Sequence, residues 1–187
     1  MKNLSLSKAP SKRILSDFEE ELMWADSYSR LPVILEFWRK CNARGIGLDA
    51  FFKTLGEEWT GCDNISVYAG TLDRIFKTVP RVNLDAMMDR KEIVAYRTLP
   101  ETITAYRGAY PVNAVGFSYS LDEAVAKRFP MLNRYRIRGV SPYLLSVELP
   151  KRFCVLKTDR QEQEIICVNR GVVRVTGRTE IKPEGAQ

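Results

Sequence analysis

The chain of 187 residues is long enough for one domain with a substantial core, or for a domain carrying a helical extension. It holds 29 Lys and Arg against 23 Asp and Glu, a net charge of +6, and no histidine. The missing imidazole excludes His-ligated metal sites, Ser-His and Cys-His nucleophile pairs and imidazole acid/base chemistry, so proton transfer falls to carboxylates, Lys, Tyr, Cys or water. The charge is unevenly placed. Residues 1–90 are balanced, with 13 basic and 13 acidic side chains, and the excess sits in residues 91–187, with 16 and 10. Cys41, Cys62, Cys154 and Cys167 form no C-x-x-C pair and read as small core residues. The opening MKNLSLSKAPSKR is basic without an apolar run, and no stretch is long enough for a membrane span. The expectation is a soluble, cytoplasmic protein.

In chain order, residues 1–12 read as a flexible polar tail. The capping-box pattern Ser16-Asp17-Phe18-Glu19 opens a helix expected to reach residue 28. Pro32 fits the first turn of a second helix ending near residue 43, with Val33, Phe37 and Cys41 repeating every four residues and Gly45 as its stop. Further helices are expected over 48–55, 63–76 and 83–89. Two nucleotide-binding look-alikes fail on context. Gly45-x-Gly47-x-x-Ala50 follows a helix rather than a strand, and Gly56-x-x-x-x-Gly61 is followed by Cys62 and Asp63 instead of Lys and Ser/Thr. From residue 91 the texture changes. Strands are expected over 92–96, 102–107, 116–120, 144–149, 153–156, 164–168 and 172–176, with a helix over 121–129. The last two strands are joined through Asn169-Arg170-Gly171, as in a hairpin. A helical region over 13–90, packed on a β-rich core over 91–187 in a single compact domain, makes the fold class α+β.

Three patterns in the second half carry chemistry. The first is Thr104-Ala105-Tyr106-Arg107-Gly108, a strand ending on Arg-Gly. The second is Gly116-Phe117-Ser118-Tyr119-Ser120, a strand running into a helix that ends Ala126-Lys127-Arg128-Phe129. The third is Glu162-Gln163-Glu164-Ile165-Ile166, two carboxylates opening a strand. Side chains two apart on a strand share a face, so Glu162 and Glu164 can face one cleft. Such a pair suits an oxocarbenium-like transition state at a glycosidic carbon, one carboxylate stabilising the cation and the other taking a proton from the attacking group. Arg107 can grip a phosphate bidentately, and Ser118 can orient a carboxylate or a ribose. Together they suit an anionic substrate with an activated N-glycosidic bond, of which NAD+ is one. Each pattern alone also has an ordinary use: a salt-bridged strand arginine, an N-cap at Ser120, and a solvent-facing Glu-x-Glu.

The ordered set Arg, Ser-x-Ser, Glu-x-Glu resembles the R-S-E class of mono-ADP-ribosyltransferases, which includes bacterial toxins and bacteriophage enzymes. The likeness covers residues 103–168. It also looks like small phage or prophage proteins with a Gly-Phe/Leu-Ser-Trp/Tyr element before a helix. The resemblance implies an N-terminal helical region followed by an ADP-ribosyltransferase-like split β-sheet core. It implies NAD+ as substrate, no metal, and a host macromolecule, protein or nucleic-acid-associated, as acceptor. In its terms Arg107 holds NAD+ with Gly108 beside it, Ser118 braces the nicotinamide ribose and the catalytic Glu, Glu164 is that Glu, and Glu162 prepares the acceptor. Ser120 joins the NAD+ contacts and Phe129 lines the nicotinamide pocket, or packs in the core. The family often pairs a Glu at the Glu162 position with arginine acceptors. Tyr119 stands where toxins commonly have Thr, and Ala95-Tyr96-Arg97 is a second Tyr-Arg copy. Arg107 is preferred because Gly108 follows it and Gly116 is close behind, whereas Arg97 leaves an unusually long linker.

Two other readings stay open: a non-enzymatic inhibitor or anti-defence protein on the same fold, and a basic nucleic-acid binder. Arg134, Arg136 and Arg138 alternate, and on an extended segment share one face. Lys151, Arg152, Lys157 and Arg160 precede the carboxylate pair. These read as a solvated basic surface or as an attraction for NAD+ and an acidic target.

Overall fold

A computed structural model describes residues 12–42, 47–79, 81–133, 135–158 and 163–182. Seven α-helices and six β-strands are found among them, and the chain is α+β. It forms two compact units. Helices α1 (Lys12–Met23), α2 (Arg30–Asn42), α3 (Leu48–Glu58) and α5 (Arg81–Asp85) belong to the first. Thr71–Thr78 of α4 (Ala69–Thr78) falls with Arg90 onward in the second, so the division is not a single cut at residue 90.

In the helical unit, α2 buries Leu31, Ile34, Phe37 and Cys41, one stripe at helical spacing. Phe18 of α1 stacks on Phe37 at 4.0 Å. Trp38 of α2 meets Phe51 of α3 at 4.8 Å between ring centroids. Gly47, left-handed at φ 73°, opens α3, and Asn83 donates to Asp49 at 2.9 Å. The second glycine look-alike has a packing explanation: a Cβ at Gly56 would stand 2.0 Å from the Met87 carbonyl oxygen. Gly45, expected to stop α2, lies outside the described residues. The region expected as one helix over 63–76 is a 3-10 turn, Ile65–Tyr68, followed by α4.

The sheet unit departs from expectation first at residues 92–96, expected as a strand. They lie in helix α6 (Arg90–Thr98). The run Ile93-Val94-Ala95-Tyr96 favours a strand locally, but distant partners decide. Glu92, in the first turn where a carboxylate suits the helix dipole, pairs with Lys157 at 2.8 Å and accepts from the Thr158 N–H at 2.9 Å. At the other end, Lys151 Nζ donates to the carbonyls of Arg97 and Leu99 at 3.0 and 2.6 Å, satisfying groups a helix end leaves open.

The strands are β1 (Thr102–Ala109), β2 (Ser118–Ser120), β3 (Tyr143–Pro150), β4 (Cys154–Lys157), β5 (Glu164–Cys167) and β6 (Arg174–Glu180). They form one antiparallel sheet in the order β4-β5-β2-β1-β3-β6. The expected hairpin of the last two strands is therefore absent: β2, β1 and β3 lie between β5 and β6. A 3-10 turn, Arg170–Val172, follows β5 and lets the chain leave for the far edge. β1 and β3 share eight registered pairs, whereas β1 and β2 share one, Tyr106 with Ser120. The sheet thus has two three-stranded halves with a narrow joint. Helix α7 (Glu123–Arg128) follows β2, N-capped by Asp122, whose carboxylate accepts from the N–H groups of Ala124 and Val125. All four cysteines are free and buried, and burial pushes the Cys62 thiol up to about 12. Among the described residues no helix is long and apolar enough to cross a membrane.

Gly56→Ala separates propensity from packing. Helix propensity alone promises a gain of about 1 kcal/mol. The overlap with Met87 should instead give a net loss of about 1–3 kcal/mol, read from the urea midpoint.

Candidate functional site

The sheet register brings several of the expected residues together. Tyr106 opposes Ser120, Ser120 opposes Glu164, and Glu164 opposes Lys157. Residues directly opposite on antiparallel strands share a face, so this row crosses β1, β2, β5 and β4 on one side of the sheet. Ser118, two residues before Ser120, stands on the same side opposite Ile166. Glu164 and Ser118 are half-buried, and Ser120 is buried. Ser120 Oγ accepts from the Asp122 N–H at 3.0 Å, so it braces the entry to α7 while Asp122 is the cap. Glu164's direct cross-strand partner is therefore Ser120, with Ser118 one step along. Glu162 lies outside the described residues.

Arg107 is not in that row. The register places it opposite Tyr119, on the other side of β1 and β2, and its Cζ lies 5.9 Å from the Tyr119 ring centroid. It reaches the site through the backbone. Its Nη1 donates to the Ser118 carbonyl at 2.7 Å, while Nε and Nη2 donate to the Asn113 carbonyl at 3.3 and 3.2 Å. A side chain of β1 thereby holds β2 where registered pairing stops. Burial pushes the guanidinium down from its ordinary value, and Tyr119, Glu164 and Tyr143 pull the other way. Arg107 and Glu164 thus feel each other's charge although their strands present them on opposite faces. Tyr119 donates its hydroxyl to the Gly116 carbonyl at 3.1 Å, and burial pushes its phenol up to about 12 against the pull of Arg107.

Two glycines make this geometry possible. A Cβ at Gly116 would come within 2.7 Å of Arg107 Cζ and Nη2, so the glycine leaves the space that the guanidinium fills. A Cβ at Gly108 would meet the Ala126 carbonyl oxygen at 2.0 Å and Pro130 Cδ at 2.6 Å. Gly108 therefore allows β1 to approach α7, a packing role beside the substrate contact expected of it. Phe129 is half-buried in the 3-10 turn after α7 and stacks on Tyr135 at 6.1 Å. Arg97 lies in the last turn of α6. Asn113 was not foreseen, because the grip is on its carbonyl and no side-chain pattern announces it. Gly116 carried a signal in the Gly-x-Ser spacing, without a role attached.

The basic residues expected as one surface are divided. Lys151 caps α6, Lys157 is buried against Glu92, and Arg152 is exposed beside the Phe153 ring at 5.0 Å. Arg136 lies in irregular chain and Arg138 in a turn, neither on a strand, and Arg134 and Arg160 lie outside the described residues. Among the described residues no group of three or more Cys, Asp or Glu is placed to hold a metal ion. No protein-family model, curated protein or solved structure matches the chain.

Gly108→Ala and Gly116→Ala should separate packing from the guanidinium grip. The former pushes against backbone and should cost about 1–3 kcal/mol in thermal unfolding. The latter pushes against a side-chain end, and should leave the fold in place while the Arg107 Nε–H resonance shifts and exchanges faster with water.

Proposed function

We propose that this chain is a mono-ADP-ribosyltransferase of the R-S-E class, acting on NAD+ and transferring ADP-ribose to a macromolecular acceptor in a host cell's cytoplasm. The observation that carries the reading is the pairing of Glu164 with Ser120, with Ser118 on the same face and Arg107 clamped to the Ser118 carbonyl from the neighbouring strand. The sheet joined at one pair between two three-stranded halves supports an ADP-ribosyltransferase-like split core.

The residues suit NAD+ as substrate. Three of Arg107's five N–H donors hold backbone carbonyls, which leaves two for a pyrophosphate oxygen from a fixed guanidinium. Ser118, half-buried on the Glu164 side of β2, orients a ribose hydroxyl, whereas Ser120 braces the α7 entry. Glu164 accepts from the ribose 2′-hydroxyl and stabilises positive charge as the C1′–N bond breaks. The bonding pair leaves with nicotinamide, which departs neutral because it was cationic when bound. A nucleophile on the acceptor then forms the new bond to C1′, its proton passing to Glu162 or to water. Where water replaces the acceptor, the same site hydrolyses NAD+.

Labelled NAD+ incubated with cell lysate tests the reading. Wild type should release nicotinamide and label a macromolecule, and Glu164→Gln should lose both by about 100-fold or more. Arg107→Ala should abolish NAD+ use, while Arg97→Ala should not. A folded wild type that binds a partner but releases no nicotinamide would identify a binding protein instead.

A further inference from the structure

Cys154 opens β4 and Cys167 closes β5, and the two are Cα partners in the antiparallel ladder. The backbone bonding around them fixes which kind of partner they are. One step along the ladder, the Val168 N–H donates to the Phe153 carbonyl at 2.9 Å. The Cys167 N–H donates away from β4, to the Phe117 carbonyl just before β2, at 2.7 Å. Hydrogen-bonded and non-hydrogen-bonded pairs alternate along an antiparallel ladder, so Cys154 and Cys167 are a non-hydrogen-bonded pair. In such a pair the Cα atoms stand about 4.5 Å apart and the side chains are at their closest. A disulfide spans Cα separations of about 4.4–6.8 Å, so a bond between these two sulfurs needs little movement of the strands.

The thiols themselves agree. Burial pushes the Cys62 thiol up to about 12, the behaviour of a core residue. Cys167 is at least as buried, yet its thiol is drawn below its ordinary value, chiefly by a hydrogen bond with Cys154, while burial opposes. The thiolate is the attacking form in thiol–disulfide exchange. Access follows from place. β4 is four residues long and stands at the sheet edge with β5 as its strand neighbour. The pair sits at the ends of both strands, where local opening costs least. Among the described residues no other two cysteines share a ladder: Cys41 lies in α2, and Cys62 follows the 3-10 turn Trp59–Gly61.

The geometry points to Cys154 and Cys167 as a reversible dithiol–disulfide couple, a modification site for a low-molecular-weight disulfide of the glutathione type. The Cys167 thiolate attacks one sulfur of the small disulfide, forming a mixed disulfide and expelling one small thiolate. The Cys154 thiolate then attacks the Cys167 sulfur, forming the cross-strand bond and expelling the second. The two protons of the protein thiols end on the two small thiols. The protein is oxidised by two electrons and the small disulfide is reduced by two. The new bond fastens the edge strand to β5, the strand that carries Glu164. The inference stands apart from the reaction proposed above and needs no NAD+.

The test incubates the folded full chain in buffers of oxidised and reduced glutathione, traps the remaining thiols with an alkylating reagent, and maps linkages by mass spectrometry. The expected product has lost two hydrogens, carries a Cys154–Cys167 bond, and has Cys41 and Cys62 alkylated. It keeps the native circular dichroism, and dithiothreitol returns it to the dithiol. Cys154→Ser should stop at the mixed disulfide, with glutathione held on Cys167. A wild-type chain that stays reduced at both positions, retains glutathione there, or bonds either cysteine to Cys41 or Cys62 overturns the proposal. So does a disulfide that forms only with loss of the native spectrum, or a folded Cys154→Ser chain that takes up no glutathione. If Cys154→Ser does not fold, the wild-type linkage map decides alone.

Discussion

One registered pair among the described residues, Tyr106 with Ser120, joins the two halves of the sheet, and everything at the candidate site follows from how narrow that joint is. Where strands pair along their length, the backbone satisfies itself and side chains stay on their own faces. Here β2 is three residues long and its partnership with β1 stops almost at once. The Ser118 carbonyl is engaged instead by the Arg107 guanidinium at 2.7 Å. A planar cation with five donors is suited to this, because it can hold two carbonyls and keep donors in reserve. The grip explains how an arginine presented on one face interacts electrostatically with a glutamate presented on the other.

The same use of cations recurs through the sheet unit. Lys151 satisfies the end of α6, Lys157 meets Glu92, Arg170 meets Asp73 at 2.5 Å, and Arg174 meets Glu148 at 3.0 Å. Several basic side chains of the second half are therefore committed to carbonyls or carboxylates, with Lys157 buried and Arg174 exposed. The consequence for binding is specific. An anionic substrate at this site would be drawn by residual donors on a fixed guanidinium more than by a diffuse basic field, which salt would screen.

These cations also mark where the sequence could and could not be read. α2 and α3 were legible because their apolar stripes are periodic and local, as were β1 and β3, bounded by Pro100 and Pro150. α6 was not, because its β-branched run pointed to a strand while the partners that favour the helix, Lys151 and Lys157, lie more than fifty positions away. The expected β5–β6 hairpin failed for a related reason. A short link with a glycine permits a hairpin, but the choice of neighbour belongs to the whole sheet. At the site, the order Arg, Ser-x-Ser, Glu was visible, yet the face on which each stands was not. A strand's parity is fixed only once its register with the next strand is fixed.

Tyr119 shows how parity bears on the resemblance. It occupies the position where toxins of the R-S-E class commonly carry Thr, and that position faces away from the row of Ser120 and Glu164. The larger side chain occupies the face where Arg107 lies. Its hydroxyl is tied to the Gly116 carbonyl, its ring stands near the guanidinium, and the space over Gly116 is filled by that same guanidinium. Glycine, tyrosine and arginine are therefore mutually dependent: a Cβ at residue 116 would displace Arg107, and a small residue at 119 would remove the ring beside it. The serine face is untouched by the exchange. The larger side chain thus falls on the support of the arginine, while Ser118, Ser120 and Glu164 share the other side of the sheet.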